Sequence, residues 1–110
     1  MAAVDALSRT FAALAHPTRR EILSRLRAGP LTMGELAEPF ALSRPAVSQH
    51  VKVLYDAGLV EQRATAQWRT CVLRPASLAD AERWVEEHRR IWNENFDRLE
   101  AELTRKAPRS

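Results

Sequence analysis

The stretch Leu42–Gly58, LSRPAVSQHVKVLYDAG, carries start and stop signals for a single helix. Ser43 is a good N-cap residue, because its hydroxyl can accept a hydrogen bond from a backbone N–H group of the first turn. Pro45 falls in that first turn, where a missing N–H group is harmless. Gly58 can adopt the left-handed conformation that ends a helix. The sequence therefore predicts a helix of about four turns with a defined beginning and end.

The predicted helix has two faces of different chemistry. Val47, His50, Val51 and Leu54 recur at the i, i+3, i+4, i+7 spacing of one face, which can be buried. The opposite face has no carboxylate before Asp56 and carries Arg44, Pro45, Ser48, Gln49 and Lys52. Their donors and cations are groups that phosphate oxygens and purine edges accept. The alternative is an ordinary amphipathic helix whose polar face is solvated. The flanking segments must decide between the two.

The length and the charge distribution limit the classes of protein to which this chain can belong. A chain of 110 residues has room for one small domain and none for a separate catalytic one. Residues 1–75 carry ten basic and six acidic side chains, whereas residues 76–110 carry seven and eight. The N-terminus MAAVDALSRT lacks the basic and apolar regions of a secretory signal, and no window is apolar enough for a membrane span. We expect a cytoplasmic protein without membrane contact.

Two helices are predicted in the N-terminal part of the chain. The first is a short amphipathic helix that ends before Pro17 and has Val4, Leu7, Phe11 and Leu14 at helical spacing. The second, PTRREILSRLRAG, begins at Pro17 and ends near Gly29. We interpret its arginines as a solvated face, which comprises Arg19, Arg20, Arg25 and Arg27. The alternative is a contact of Arg19 or Arg20 with DNA phosphate or with a partner subunit.

The next segment, LTMGELAEPFAL, predicts a short helix. Thr32 and Glu35 have the spacing of a capping box, in which each side chain accepts from a free N–H group of the first turn. The residues predicted to face the core are Met33, Leu36, Ala37 and Phe40. Only a few residues separate this helix from Ser43, and two helices joined so closely are the pattern of a helix-turn-helix.

After Gly58 the hydrophobic period changes to that of strands. LVEQR and WRTCVL predict a hairpin around the polar connection Ala64–Gln67, which lacks Asn-Gly or Asp-Gly and is therefore expected to be longer and less rigid than a tight turn. Cys71 is the only cysteine, so no intramolecular disulfide can form, and we expect it to be a small buried hydrophobe. Arg63 and Arg69 flank the tip, where a wing would approach the sugar-phosphate backbone. Solvated arginines are the alternative.

One long helix is predicted from Ala76 to Lys106, capped near Ser77. Its apolar stripe consists of Trp84, Val85, His88, Ile91, Trp92, Phe96, Leu99 and Leu103. A domain of this size cannot cover such a stripe alone, so we expect a partner helix. The alternatives are a stripe that packs only on its own domain and an interaction module that binds a different protein through this helix.

The runs FAALAHPTRREILSRL and LTMGELAEPFALSRPAVSQHVKVLYDAGLV, with the tryptophan-bearing last helix, resemble the ArsR family of bacterial transcriptional repressors, and within it the short autorepressor-like members without a metal site. The resemblance implies a mainly helical winged helix-turn-helix with a small hairpin wing. From the length and the composition of the last residues we expect one domain over residues 1–106 and a disordered tail at 107–110. It also implies a homodimer, formed through the terminal helices, that represses transcription from a partly palindromic double-stranded DNA operator near its own promoter.

The resemblance supports the DNA-binding candidates, and the apolar spacing of the terminal helices gives the dimer-interface candidates. The DNA-binding candidates are Ser43, Arg44, Pro45, Ser48, Gln49, Lys52, Arg63 and Arg69. The dimer-interface candidates are Val4, Leu7, Phe11, Trp84, His88, Ile91, Trp92, Phe96 and Leu99. Two positions depart from the family pattern: His16 stands where an aspartate commonly caps the second helix, and the wing tip ATAQ is uncharged where basic residues and glycine are usual.

The sequence offers few residues for a metal site or for catalysis. Residues 32–37 contain no cysteine, and His16, His50 and His88 are scattered singly, whereas zinc takes about four ligands. We expect no metal, no cofactor and no enzymatic activity, because no catalytic constellation is recognisable. The operator, the regulated genes and any small-molecule inducer stay open. We expect the aromatic residues of the last helix to fill an interface, with a ligand cavity as the alternative.

Overall fold

The computed structural model describes residues 5–106. Within them the elements are α1 Ala6–Leu14, α2 Pro17–Leu26, β1 Leu31–Thr32, α3 Met33–Ala37, α4 Arg44–Asp56, β2 Val60–Thr65, β3 Trp68–Leu73 and α5 Ala76–Lys106. This order, mainly helical with a small hairpin, confirms the predicted winged helix-turn-helix. The predictions for Val4 and for the tail at 107–110 fall outside the described residues.

Side chains that accept hydrogen bonds from first-turn N–H groups set the beginnings of the helices. The Ser43 hydroxyl accepts from the N–H group of Ala46 at 3.3 Å and so starts α4. Thr32 and Glu35 form the predicted capping box of α3, with N···O distances of 3.0 and 3.2 Å. Before α2, ring atom Nδ1 of His16 accepts from a first-turn N–H group at 3.1 Å. Histidine therefore caps this helix where the family commonly has aspartate.

The core lies between the first four helices and the hairpin. The predicted inner face of α4 is confirmed, since Val47, Val51 and Leu54 are buried and His50 is half-buried. The other buried apolar residues of this cluster are Ala13, Ile22, Leu26, Leu36, Leu59, Val60 and Cys71. Burial raises the pKa of the Cys71 thiol to about 11, so it is a neutral buried side chain, as predicted.

The hairpin is tighter than the sequence predicts. β2 and β3 pair from Val60 opposite Leu73 to Thr65 opposite Trp68, which leaves only two residues in the turn. Ala66 reaches this geometry with a φ of 55°, in the left-handed region, without the glycine or asparagine that such a turn usually has. The prediction of a longer connection is therefore wrong. A third strand, β1, pairs antiparallel with β3 and was not predicted, because two residues carry no periodicity.

Three arginines of α2 bind the ends of other helices. Arg19 and Arg20 donate to carbonyl oxygens in the last turn of α1 and at its end, at 2.7 to 3.0 Å. Arg25 donates to two carbonyl oxygens of α3, at 2.8 and 3.1 Å. Carbonyl groups at a helix end lack partners within the helix. These arginines therefore hold α1 and α3 against α2. The prediction of a solvated face is wrong for Arg19 and Arg25, which are half-buried, whereas Arg20 is exposed. A contact of Arg19 or Arg20 with DNA phosphate or with a partner subunit stays a prediction.

α4 and α5 meet at the residues that join them to the hairpin. Gly58 ends α4 with a φ of 76°, and a β-carbon at this position would lie 2.7 Å from Oγ of Ser77. The N–H group of Arg74 donates to the carbonyl oxygen of Leu59 at 2.9 Å. α5 begins at Ala76, as predicted, and Ser77 lies inside its first turn instead of being the N-cap residue itself.

α5 extends well beyond the core, and the molecule measures 73 Å along its longest axis. α1 covers part of the apolar stripe, where the rings of Phe11 and Trp84 meet edge to face with centroids 5.7 Å apart. Farther along, the exposed fractions are 58% for Trp92 and 64% for Phe96. Packing within the described residues therefore does not cover the stripe. No helix among these residues is both long and apolar enough to cross a membrane.

His16 and His50 are not single histidines, as the sequence suggested, but a contacting pair. Their ring centroids lie 4.4 Å apart, and Nη1 of Arg19 lies 3.3 Å from Nδ1 of His50. An arginine can only donate, so this nitrogen of His50 must be unprotonated. Burial, then the neighbouring His16 and Arg19, lower the pKa of His50. The contact between α2 and α4 thus requires a neutral His50.

We expect acidification below about pH 6.5, the ordinary pKa of histidine, to lower the free energy of unfolding. The unfolded chain takes up a proton on His50 in this range, whereas the folded chain resists it. This contribution to stability is therefore complete above the ordinary pKa and is lost as the pH falls toward the lowered one. Denaturant unfolding curves recorded from neutral to mildly acidic pH measure the loss.

The variant His50→Gln is the matched control for this pH dependence. The glutamine carbonyl oxygen can still accept from Arg19, but the side chain does not titrate. We expect the variant to lose less stability than the wild-type protein over the same pH interval. Equal losses in the two proteins would show that another group causes the pH dependence.

Candidate DNA-binding surface

Burial of one face of α4 determines which side chains it presents outward. Val47, Val51 and Leu54 point into the core, and His50 contacts α2. The side chains on the other side of the helix axis are therefore exposed. The six candidates predicted on this helix are all exposed, namely Ser43, Arg44, Pro45, Ser48, Gln49 and Lys52.

A groove runs along the outward face of α4 beside the hairpin. Its volume is about 580 Å³, and it is lined by Pro45, Ser48, Gln49, Lys52, Tyr55 and Gln62. The sequence analysis missed Tyr55 and Gln62. The step of three residues from Lys52 to Tyr55 was a visible signal, because it continues the same helix face. Gln62 could not be placed without the strand register, which sets it opposite Cys71.

Arg44 lies at the start of α4 and folds toward the first turn of α3. A β-carbon at Gly34 would lie only 2.6 Å from Nη2 of Arg44. The guanidinium group thus occupies space that any larger residue at position 34 would contest. The close approach places a positive charge at the junction of the two helices, next to the N-terminal end of the groove.

Lys52 forms a weak ion pair within α4. Its Nζ lies 3.6 Å from Oδ2 of Asp56, one turn farther along the helix, and both side chains are more than half exposed. Pairs of this kind contribute about 0.3–0.5 kcal/mol and are screened by salt. Lys52 can therefore exchange this partner for a phosphate group at little cost.

The hairpin separates its two predicted arginines onto opposite faces. Nε of Arg63 donates to Oε1 of Glu61 at 2.7 Å on one face. Arg69 is opposite Ala64 on the other face and lines a smaller pocket of about 150 Å³ with Ser48, Gln62 and others. The structure thus brings Arg69 to the α4 side of the wing and gives Arg63 a carboxylate partner.

Metal-ligating side chains are dispersed through the part of the chain that the structure describes. Between residues 5 and 106, no three His, Cys, Asp or Glu side chains lie close enough together to hold one metal ion. Nδ1 of His88 lies 2.9 Å from the carbonyl oxygen of Trp84, and its ring stacks on the indole at a centroid distance of 3.9 Å. This histidine is thus part of the aromatic stripe of α5.

Comparisons with known proteins identify related regulators. A family model described as a helix-turn-helix domain matches residues 14–63. The HTH-type transcriptional regulator Rv2034 of Mycobacterium tuberculosis is 52% identical over 71 residues, which are 64% of this chain and 66% of that protein. The chain thus spans just under two thirds of that relative's length. The transcriptional repressor SdpR of Bacillus subtilis is 33% identical over 79 residues, 72% of this chain and 88% of that protein.

Solved structures with a similar fold include further regulators and DNA-binding domains. The ArsR family transcriptional regulator RHA00566 superposes with a TM-score of 0.75 and 36% identity, over 81% of this chain and 98% of that one. A homodimeric winged helix-turn-helix DNA-binding domain, Mb0332 of Mycobacterium bovis, shares the fold with a TM-score of 0.60 and 22% identity, over 86% and 84% of the two chains. This chain belongs to the ArsR family of winged helix-turn-helix transcriptional regulators.

Proposed function

We propose that the chain is a homodimeric repressor that places α4 of each subunit in the major groove of a partly palindromic operator near its own gene. The observation that carries this proposal is the outward face of α4, which presents cationic, hydroxyl and amide side chains and no carboxylate before Asp56. The name of SdpR, a transcriptional repressor, supports repression as the direction of control. Binding to chromosomal DNA implies a cytoplasmic protein.

Base recognition falls to the side chains on the outward face of α4. The major groove is about 12 Å wide and admits one helix. Gln49 can both donate to and accept from an adenine edge, and Ser48 can bond to either kind of group. Arg44 matches the paired acceptors of guanine. We assign specificity to these three residues because they are exposed and lie before Asp56.

Phosphate contacts would come from the groove rim and the wing. Lys52 has only an exposed ion pair to give up, and Arg69 lies on the α4 side of the hairpin. Arg63 is already paired with Glu61, so we expect it to contribute less than Arg69. This ranking refines the prediction that both arginines of the wing contact the DNA backbone.

The proposed role of Gln49 predicts a loss of sequence discrimination. The variant Gln49→Ala should reduce the difference in binding free energy between the operator and shuffled DNA by about 1–3 kcal/mol if the amide makes a paired contact to one base. The operator is first located by footprinting the DNA upstream of the gene, and titrations then compare it with a shuffled duplex. An unchanged specificity ratio would remove Gln49 from the reading residues.

The proposed role of Lys52 predicts a different signature. Lys52→Gln should weaken binding to operator and shuffled DNA alike, and the slope of log K against log salt should become shallower by about 0.9 for every phosphate that the variant no longer neutralises. Asp56→Asn is the matched control, because it frees Lys52 from its ion pair and should leave binding unchanged or stronger. A sequence-selective effect of Lys52→Gln would contradict the assignment to phosphate.

The exposed stripe of α5 supports the homodimer. Exposed aromatic side chains on one helix face are typical of an interface, and Mb0332, which shares this fold, is a homodimer. A two-fold axis would present the two α4 helices roughly 34 Å apart, about one turn of DNA. The interface residues within the described range are Leu7, Phe11, Trp84, His88, Ile91, Trp92, Phe96 and Leu99, and we keep the whole set as candidates.

Replacement of Phe96 should dissociate this dimer. Burial of a phenylalanine contributes about 1.5–3 kcal/mol, and each dimer contains two, so Phe96→Ser predicts dimerisation weaker by about a hundredfold or more. Analytical ultracentrifugation measures the monomer fraction, and footprinting reports whether both half-sites are protected. Asp97→Asn, on the opposite side of α5, is the control and should dimerise normally.

The same experiment tests the alternative of an interaction module. A wild-type chain that is monomeric and has no preference for its upstream DNA would favour a module whose α5 binds another protein. A wild-type dimer that dissociates only when Phe96 is changed supports the proposed repressor.

A further inference from the structure

A second concave region lies away from the DNA-binding face, where α1, α2, β3 and α5 meet. It has a volume of about 270 Å³, and its apolar lining comes mainly from Leu14, Leu23, Leu59, Leu73 and Leu78. Leu59 is buried and forms part of the floor, whereas Leu14, Leu23 and Leu73 are half-buried and Leu78 is exposed. Apolar side chains are therefore left partly uncovered on several elements around one cavity.

The rim of this pocket is positively charged. Arg20, Arg27 and Arg74 line it, and no acidic residue does. Arg20 donates to a carbonyl oxygen of α1, and Arg74 lies 3.7 Å from a carboxylate oxygen of Glu61. The side chain of Arg27 is exposed and makes no hydrogen bond or ion pair with any other described residue. An unpaired guanidinium group thus stands at the mouth of an apolar pocket.

We propose that this pocket binds a small amphipathic anion, a carboxylate with an unbranched alkyl chain, whose tail lies among the leucines and whose head group pairs with Arg27. The volume is slightly below the usual range of about 300–1,000 Å³ for ligand sites, which favours a ligand with a short tail. A guanidinium group binds a carboxylate through two parallel hydrogen bonds, which a neutral or cationic head group cannot accept in the same way.

Part of the pocket lining belongs to the junction between α4 and α5. Leu59 follows Gly58 just beyond the end of α4, and its carbonyl oxygen accepts from the N–H group of Arg74. Leu78 belongs to the first turn of α5. A tail that fills the pocket would therefore contact both sides of the junction through which α4 and α5 are held together. The binding claim does not depend on the proposed repressor function, because it rests on the pocket alone.

The test is a titration of the wild-type protein with sodium octanoate, followed by heteronuclear NMR and by thermal unfolding. Octanoate should shift amide signals around the pocket in a saturable manner and raise Tm. Hexanoate lacks two methylene groups and should bind more weakly, by as much as about fifteenfold if both are fully buried in octanoate. Octanol and octylamine, which lack the negative charge, should bind more weakly than octanoate.

Two variants and one control separate this pocket from other apolar surfaces. Arg27→Gln should weaken octanoate binding by about two- to fivefold, as expected for an exposed ion pair, while Arg90→Gln on the outer face of α5 should have no effect. Ser24→Phe places a ring into the pocket from its rim, adds no cavity to the core and should abolish the octanoate shifts. The NMR spectra of all three variants should keep the signal dispersion of the wild-type protein, which would show that the variants remain folded.

Three results would overturn the proposal. The first is a wild-type spectrum that does not change with octanoate. The second is equal binding of octanol, which would mean that Arg27 contributes no charge pairing. The third is a set of shifts confined to Trp92, Phe96 and their neighbours and unchanged in Ser24→Phe, which would place the ligand on the exposed stripe of α5 instead.

Discussion

The burial of one face of α4 is the constraint on which the proposed DNA recognition depends. Val47, Val51 and Leu54 are buried in the core, so the helix cannot rotate about its axis without exposing them. Each such side chain contributes about 1.5–3 kcal/mol when fully buried. The opposite face is therefore held outward whether or not DNA is present. Because α4 is already held in place, DNA binding would not have to order this helix. The free energy gained from contacts by Ser48 and Gln49 would therefore not be reduced by an entropic cost of ordering it.

The elements around α4 hold it through polar contacts that the sequence does not announce. Arg19 illustrates this, because its guanidinium group bonds to the end of α1 and also contacts His50 of α4. One side chain thus connects three helices. A sequence shows only that an arginine lies on an amphipathic helix, and an exposed arginine is the commoner case. The partners are carbonyl groups, which every residue has, so no pattern of side chains could have identified them.

The local features could be predicted, and the features that depend on pairing could not. Ser43, Pro45 and Gly58 set the limits of α4 through interactions within a few residues of each helix end, and these limits are confirmed. The capping box of α3 is local in the same sense. The two-residue turn at Ala66 was missed because the strand register overrides the unfavourable backbone conformation of an alanine. The contact of His16 with His50 joins residues 34 positions apart, and spacing alone gives no sign of it.

The candidate DNA-binding surface also combines features that the local sequence predicts with features that depend on pairing between distant segments. The outward residues of α4 follow from helical periodicity, whereas the separation of Arg63 from Arg69 requires the register of the hairpin. Periodicity also showed that the stripe of α5 exceeds what the domain can cover, but it could not show how α5 is fixed relative to α4. The structure answers this with a short junction, in which Gly58 approaches Ser77 and Leu59 bonds to Arg74. Because the helix proposed to read DNA and the helix proposed to form the dimer meet there, a small change at this junction would alter the distance between the two reading helices of a dimer. Recognition of two half-sites depends on that distance, so the junction is the place where a signal from elsewhere in the protein could act on DNA binding with the least movement.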